Sequence, residues 1–319
     1  MFKYNFIALI GFFFITCSCS QAPFDTIKYS ENTIDEAAIF AKGVISSKDN
    51  SEFDIMFSPN GRKAYFSRRA PGQKQKIYET AFIDGIWIKP KLCDFSIDRD
   101  ETPSISQDGK HFFFGSERPI PNIPNKGNFD MNIWMMEKDG DKLSTPKPLP
   151  FPINDVQLEG EEWPSSNNNF LSAVDSETYY YTTMIRGEKS IKLYQTQFKN
   201  GTFSEPVEIK GIFSDEKYWI YSPVVSPDGK YLIFNSYGAP GGTGGEDIFV
   251  SIKKENGWSE AKPIGSKVNS KHEESSPRFS RDGNYFFFSR AESLENDEYG
   301  EWSIYFIETE YLDLDKLFQ

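Results

Sequence analysis

The chain has 319 residues, with 35 Lys or Arg and 47 Asp or Glu, so its formal net charge is −12. An acidic protein repels phosphate backbones, which argues against a nucleic-acid-binding function. Aromatic residues make up 16% of the chain, and strands favour them. Because no long stretch has the apolar period of a helix, the composition favours an all-β protein over an α/β enzyme.

Residues 1–18 read as a targeting segment. They contain Lys3, an apolar run and then small residues next to Cys17 and Cys19. Such a segment is typical of a secretory signal and is too short for a stable transmembrane helix. It resembles a bacterial lipoprotein signal, which implies that Cys19 is lipidated and begins the mature chain. Cys17 is the alternative lipidation site, and an ordinary cleaved signal is the alternative interpretation. We expect residues 19–35 to form a tether.

Ser20 and Gln21 follow the proposed lipidation site, and neither is acidic. By resemblance to the sorting of bacterial lipoproteins, this implies the outer membrane. The expected location is therefore the cell envelope, and the lipid is the expected contact with the membrane.

A pattern of twelve residues recurs along the rest of the chain. "VSPDGKYLIFNS" at 225–236 has near copies at 57–68, 105–116 and 279–290. The turn glycines are spaced by 48, 120 and 54 residues. The long interval contains a degenerate copy of the repeat at 173–183, with Ser176 in place of the glycine. Five repeated units, spaced as these turn residues are, indicate a solenoid or a propeller.

Each unit reads as four short strands with a tight Gly-containing turn between the first two. Four antiparallel strands per repeat are typical of a propeller blade. We predict one propeller domain over residues 36–319, with five blades, six being the alternative. The last unit lacks a fourth strand, and "DEAAIFAKGVISS" at 35–47 occupies the corresponding place before the first unit. The N-terminal stretch is therefore expected to complete the last blade and close the ring.

The units "SPVVSPDGKYLIFNS", "GGEDIFVS" and "NGWSEAKPIGSKVNS" resemble the WD40-like, PD40-type repeat in the propeller half of TolB and its relatives. The resemblance runs from about Glu36 to the C-terminus. It implies the fold and says little about function. TolB-type propellers usually have six blades and an extra domain, and this sequence shows neither.

Loops that open on one predicted face, the funnel face, carry acids before the first strand and arginines after the second. The acids are Asp54, Glu101, Glu162 and Glu274, and the arginines are Arg68, Arg118, Arg186 and Arg290. Trp163 and Trp219 lie near the same entrances. Together these groups can bind a sugar, a peptide terminus or a cation. The alternative is that the charges pair to hold neighbouring blades together and that the tryptophans are packing residues.

Catalytic motifs are missing from the sequence. It has two histidines, His111 and His272, and no nucleophile elbow or zinc-protease motif. We expect no cofactor and no metal site. The predicted function is a non-catalytic, monomeric recognition propeller that binds an envelope protein or a glycan. The alternative is a carbohydrate-active hydrolase or lyase, which requires two carboxylates facing one pocket, at least one with a raised pKa. The recognition function instead predicts acids that arginines neutralise.

Overall fold

Five antiparallel β-sheets arranged in a ring make up the fold, which confirms the predicted five-bladed β-propeller. The computed structural model describes residues 26–123, 130–155, 158–161, 170–188, 190–292 and 300–319. The first strand of each blade contacts the first strand of the next blade, and the fifth contacts the first. These five strands therefore line the central channel.

Three long strands and short outer strands build each of the first four blades, whereas the fifth recruits its outer strand from the N-terminus. The N-terminal strand is β1 (Ala38–Ile39). Blade 1 contains β2 (Ser51–Phe57), β3 (Lys63–Arg69), β4 (Lys76–Ile83), β5 (Ile86–Trp87) and β6 (Lys91–Leu92). Blade 2 contains β7 (Asp100–Ile105), β8 (His111–Ser116), β9 (Asn132–Asp139), β10 (Lys142–Leu143) and β11 (Lys147–Pro148). Blade 3 contains β12 (Phe170–Ala173), β13 (Thr178–Thr183), β14 (Lys192–Lys199), β15 (Thr202–Phe203) and β16 (Val207–Glu208). Blade 4 contains β17 (Tyr221–Val225), β18 (Tyr231–Tyr237), β19 (Glu246–Lys254), β20 (Gly257–Trp258) and β21 (Lys262–Pro263). Blade 5 contains β22 (Glu273–Phe279), β23 (Tyr285–Ala291) and β24 (Ser303–Glu308).

The second strand of each blade is buried on both faces, which explains its continuous run of aromatic and aliphatic residues. In β8, Phe112 and Phe114 pack into the apolar cluster shared with blade 1, whereas Phe113 packs into the cluster shared with blade 3. Successive side chains of a strand point to opposite faces of its sheet. A strand between two neighbouring blades therefore needs apolar residues at every position, not at alternate positions.

The turn after the first strand has the conformation that the repeat predicts. Gly109 has a φ of 73°, and Asp108 accepts hydrogen bonds from the Ser106 hydroxyl at 2.6 Å and the Lys110 amide at 3.0 Å. Glycine adopts a positive φ without the steric cost of a side chain. In the degenerate copy of the repeat in blade 3, the Asp175 carboxylate makes the corresponding turn contacts. It accepts hydrogen bonds from the amides of Glu177 at 2.8 Å and Thr178 at 2.7 Å.

Blade 5 is completed by the N-terminal strand, as predicted. Strand β1 pairs with β24, with Ala38 opposite Phe306, and the Phe40 amide donates to the Ile304 carbonyl at 2.8 Å. Pairing strands from both ends of the chain protects the ring from opening at a free edge.

Residues just before β1, in the stretch expected to be a tether, lie on the seam between blades 5 and 1. The Tyr29 ring lies 5.2 Å from the Phe57 ring and 5.4 Å from the Tyr285 ring, and its hydroxyl donates to the Gly61 carbonyl at 2.9 Å. The predicted lipidation site, Cys19, lies outside the described residues. Within the described part of the chain, no helix has the length and apolar character needed to cross a membrane.

Candidate functional site

The first strands of four blades are bulged at one end of the channel. In β2, β7, β17 and β22 the pairing register shifts at this point. The bulges contain residues with positive φ, namely Asp54 at 55°, Thr102 at 55°, Ser222 at 47° and Ser276 at 54°. Positive φ is uncommon for residues other than glycine, and bulges next to functional sites redirect side chains. These four residues line one pocket, which we call the mouth pocket.

Hydrogen bonds between blades hold the bulges in place. The Asp54 carboxylate accepts from the hydroxyls of Ser67 at 3.0 Å and Ser276 at 2.6 Å, one from its own blade and one from blade 5. The Thr102 amide of blade 2 donates to the Ser67 hydroxyl at 3.1 Å. The Ser276 amide donates to the Asn235 side-chain oxygen of blade 4 at 3.3 Å. Asp54 is thus fixed in orientation at the centre of a network that joins four blades.

Aromatic rings form much of the wall of the mouth pocket, which has a volume of about 470 Å³. Phe53 and Trp302 lie on one side with their ring centres 5.5 Å apart. Phe170 and Tyr221 also line it, with ring centres 6.3 Å apart. A concave pocket with aromatic walls and a few fixed polar groups is typical of sites for small ligands.

Two arginines and a paired carboxylate complete the rim of the mouth pocket. Arg99 binds the Glu101 carboxylate at 3.0 Å and the Glu117 carboxylate at 3.2 Å. The Arg69 guanidinium lies over the Phe53 ring, 5.5 Å from its centre. Both arginines line the pocket, where guanidinium groups can donate to hydroxyl or carboxylate oxygens of a ligand.

Glu246 is a carboxyl group of the mouth pocket whose ionisation is strongly perturbed. Burial is the main cause that raises its pKa to about 8, and the negative charges of Glu273 and Asp54 act in the same direction. A hydrogen bond at 2.5 Å from the Asn235 side-chain nitrogen opposes the shift. At neutral pH the Glu246 carboxyl therefore holds a proton that it can donate.

Sequence reasoning missed Glu246 because it considered acids only on the loops that enter the first strands. Glu246 begins β19, the third strand of blade 4. The sequence signal for Glu246 is its position directly after the glycines of "GGTGGEDIF". There the third strand begins, at the same end of the blade as the start of the first strand.

Of the acids predicted from the sequence, Asp54 and Glu101 line the mouth pocket. Glu274 does not line it; this side chain is fully buried and binds Arg290 at 2.8 Å. Glu162 and Trp163 lie outside the described residues. Trp219 lies next to the pocket wall, with its ring centre 6.1 Å from that of Tyr221.

Three of the four predicted arginines occupy the same structural position, away from the mouth pocket. Each binds a buried carboxylate at the start of the first strand: Arg68 with Glu52 at 2.9 Å, Arg118 with Asp100 at 2.7 Å and Arg290 with Glu274 at 2.8 Å. Each also donates to a carbonyl of the linker from the preceding blade, at Ile45, Phe95 and Val268 respectively. We call this arrangement the linker clasp. Of these three pairs, Arg290–Glu274 joins two residues predicted from the sequence, whereas Glu52 and Asp100 are acids that the prediction did not name.

The fourth arginine, Arg186, is about one-third exposed and binds Glu161 and Asp155, the latter at 3.1 Å. His111 packs edge-on against the Phe198 ring at 5.2 Å. Among the described residues, no group of three or more His, Cys, Asp or Glu side chains is placed to hold a metal ion.

No protein-family model and no curated protein matches the chain. Solved structures are similar to it in fold. TolB from Acinetobacter baumannii is 16% identical with a TM-score of 0.48, and the match covers 81% of this chain but only 54% of that one. A protein of unknown function from Dyadobacter fermentans is 13% identical with a TM-score of 0.50, covering 88% of this chain and 84% of that one. A structure described as a glycoside hydrolase is 8% identical with a TM-score of 0.54, covering 86% and 91%. At these identities, what the chain shares with them is the propeller fold.

Proposed function

We propose that the protein is a recognition propeller of the cell envelope that binds a glycan in the mouth pocket. The observation that carries this proposal is the composition of the pocket wall, where Phe53, Tyr221 and Trp302 stand beside Glu101 and Arg99. Aromatic faces pack against the apolar faces of sugar rings, and charged groups form strong hydrogen bonds with hydroxyls. The ion pair between Glu101 and Arg99 at 3.0 Å presents both a donor and an acceptor.

The shape of the site favours a glycan over a protein partner. The mouth pocket is concave, and its volume of about 470 Å³ lies within the range of small-ligand sites. A stable protein interface instead needs a broad surface on each partner. Asp54 is held by two hydroxyl donors at 3.0 and 2.6 Å, so it is already oriented before a ligand arrives. Such preorganisation lowers the entropic cost of binding.

Binding to envelope glycans, measured by isothermal titration calorimetry, tests this function. Trp302→Ala is expected to weaken binding about tenfold or more, the effect of losing an aromatic contact. Phe151→Ala is the matched control, because Phe151 is 72% exposed and is not part of the pocket wall. Equal affinity in both variants, or capture of a protein and no glycan, would overturn the proposal.

Anchoring in the outer membrane by a lipid on Cys19 is part of the proposal and rests on the N-terminal sequence. Membrane fractionation of cells that express the native chain or Cys19→Ser tests it. The native protein is expected in the outer-membrane fraction and the variant in the soluble fraction. If the two fractionate alike, while Cys17→Ser is released, lipidation belongs to Cys17.

A glycan hydrolase or lyase is the second candidate function, and the ionisation of Glu246 favours it. With a pKa raised to about 8, this group can serve as a general acid, and Asp54 is a second carboxylate that lines the same pocket. Release of reducing sugar ends from a bound polysaccharide is the assay. Loss of release in Glu246→Gln with binding retained would support catalysis. Binding without release by the native protein would exclude it and leave the recognition function.

A further inference from the structure

A second cavity lies deeper in the channel, two residues further along the first strands than the bulges. Its volume is about 110 Å³, and we call it the deep cavity. Strand pairing places one residue from each blade at equivalent positions around it, and these are Met56, Ser104, Ser172, Val224 and Arg278. Four of the five are uncharged. The repeat itself therefore does not require an arginine here.

Arg278 is a buried guanidinium without a carboxylate partner in the part of the chain that the structure describes. It is 4% exposed, and its hydrogen bond joins Nη1 to the carbonyl of Pro277 at 3.1 Å. No carboxylate of the described residues lies within ion-pair distance of it. Asp54 is the acid that acts on it electrostatically, and both carboxylate oxygens of Asp54 already accept hydroxyl hydrogen bonds. Arginine keeps its charge in proteins, and a buried charge without a partner is unfavourable.

A second arginine closes the same cavity at its far end. Arg281 crosses the channel from blade 5 and donates through Nη2 to the Ser106 carbonyl of blade 2 at 3.0 Å. Its Nε is buried and has no hydrogen-bond partner among the described residues. Ser104 and Ser172 add hydroxyl groups to the lining. The deep cavity thus combines two guanidinium groups with neutral donors and contains no acid in its lining.

We propose that the deep cavity binds a small anion, of the class of a halide or a carboxylate, which neutralises Arg278 and joins blade 5 to the opposite side of the ring. Guanidinium groups are suited to such anions because they offer several donors in one plane. The cavity exceeds the roughly 30 Å³ that one water molecule occupies in the liquid, so an ion of this size has room. This site is distinct from the mouth pocket, and the proposal does not depend on the glycan-binding function.

The anion can come from solution or from the carboxylate of an acidic sugar bound above. We infer a free ion, because Asp54 stands between the mouth pocket and Arg278 and repels a second carboxylate arriving from that side. The two sources are distinguishable by comparing free anions with galacturonate, and by using galactose as the uncharged control for galacturonate.

The experiment combines diffraction with thermal unfolding of the purified full-length protein. Crystals soaked in sodium bromide are expected to show an anomalous peak in contact with the Arg278 guanidinium, and Arg278→Met crystals soaked identically are expected to lack it. At constant ionic strength, bromide and formate are expected to raise the native melting temperature relative to gluconate, which is a larger anion. Arg278→Met is expected to lose that response and to melt higher than the native protein in gluconate alone.

Arg278→Lys is the second variant, because it keeps the charge and is expected to retain a weakened response. Water density alone beside Arg278, together with equal anion responses of native protein and Arg278→Met, would overturn the proposal. A response to galacturonate that requires Arg278, without one to bromide or formate, would overturn the assignment to a free ion.

Discussion

Removing the Glu274 carboxylate tests whether the linker clasp stabilises the ring. Glu274 is fully buried and accepts three hydrogen bonds, from Arg290 Nε at 2.8 Å and from the hydroxyl and amide of Ser270 at 2.6 and 3.0 Å. In Glu274→Ala these donors lose their acceptor, and the Arg290 charge, whose side chain is only 16% exposed, loses its partner. Breaking one side of a buried ion pair costs about 3–5 kcal/mol. We expect a loss of that size in the free energy of unfolding.

Equilibrium unfolding in urea, followed by tryptophan fluorescence, is the assay, and the midpoint is expected to fall while the m value is unchanged. Glu177→Ala is the matched control, because Glu177 binds Lys199 at 2.8 Å with both side chains about half exposed. An exposed pair contributes about 0–1 kcal/mol. If Glu274→Ala is no less stable than Glu177→Ala, the reasoning about the linker clasp is refuted.

A pH profile, a glycine pair and a thiol give three further predictions. Burial raises the pKa of Glu246 from 4.5 to about 8. Between these pH values the unfolded chain has lost this proton while the native protein keeps it, so the free energy of unfolding falls as pH rises. Glu246→Gln should flatten this part of the plot of urea midpoint against pH, and an unchanged slope would contradict the shift. Gly109→Ala should lower the free energy of unfolding by at least about 1 kcal/mol more than Gly229→Ala does. Both glycines have positive φ, but only a Cβ added at 109 would lie 2.6 Å from Pro59 Cγ. Equal urea midpoints of the two variants would contradict this prediction. Burial also raises the pKa of the Cys93 thiol, so a thiol reagent should label Cys93, mapped by peptide mass, only in denaturant.

The blades were predictable because their signals are local. In "QDGKHFFFGS", the glycine of the turn and the continuous apolar run of the following strand are both present in one short segment. The same reasoning found the closing strand, since the missing outer strand of blade 5 has its counterpart at Ala38–Ile39. Those predictions needed only the periods of secondary structure and the rule that sheet edges are protected.

The site was less predictable because it depends on which side chains meet from different blades. The sequence predicted Arg68, Arg118 and Arg290 in the loops after the second strands, but only Arg118 follows its strand, whereas Arg68 and Arg290 are the penultimate residues of β3 and β23. Nor did the sequence show that buried acids and linker carbonyls surround these arginines. Residues of opposite charge on neighbouring loops are compatible both with a ligand site and with a structural ion pair. Only the distances between them distinguish the two.

By itself the sequence determined the strand order of the blades and the closure of the ring, and it favoured five blades over six, because periodicity and turn chemistry act within a few consecutive residues. The tertiary structure decided the mouth pocket and the deep cavity. Bulges turn Asp54 and Ser276 towards the channel, and burial changes the ionisation of Glu246. The packing of the blades buries Arg278 with no carboxylate of the described residues within ion-pair distance. These properties arise from desolvation and from contacts between segments far apart in the chain, which no local pattern encodes.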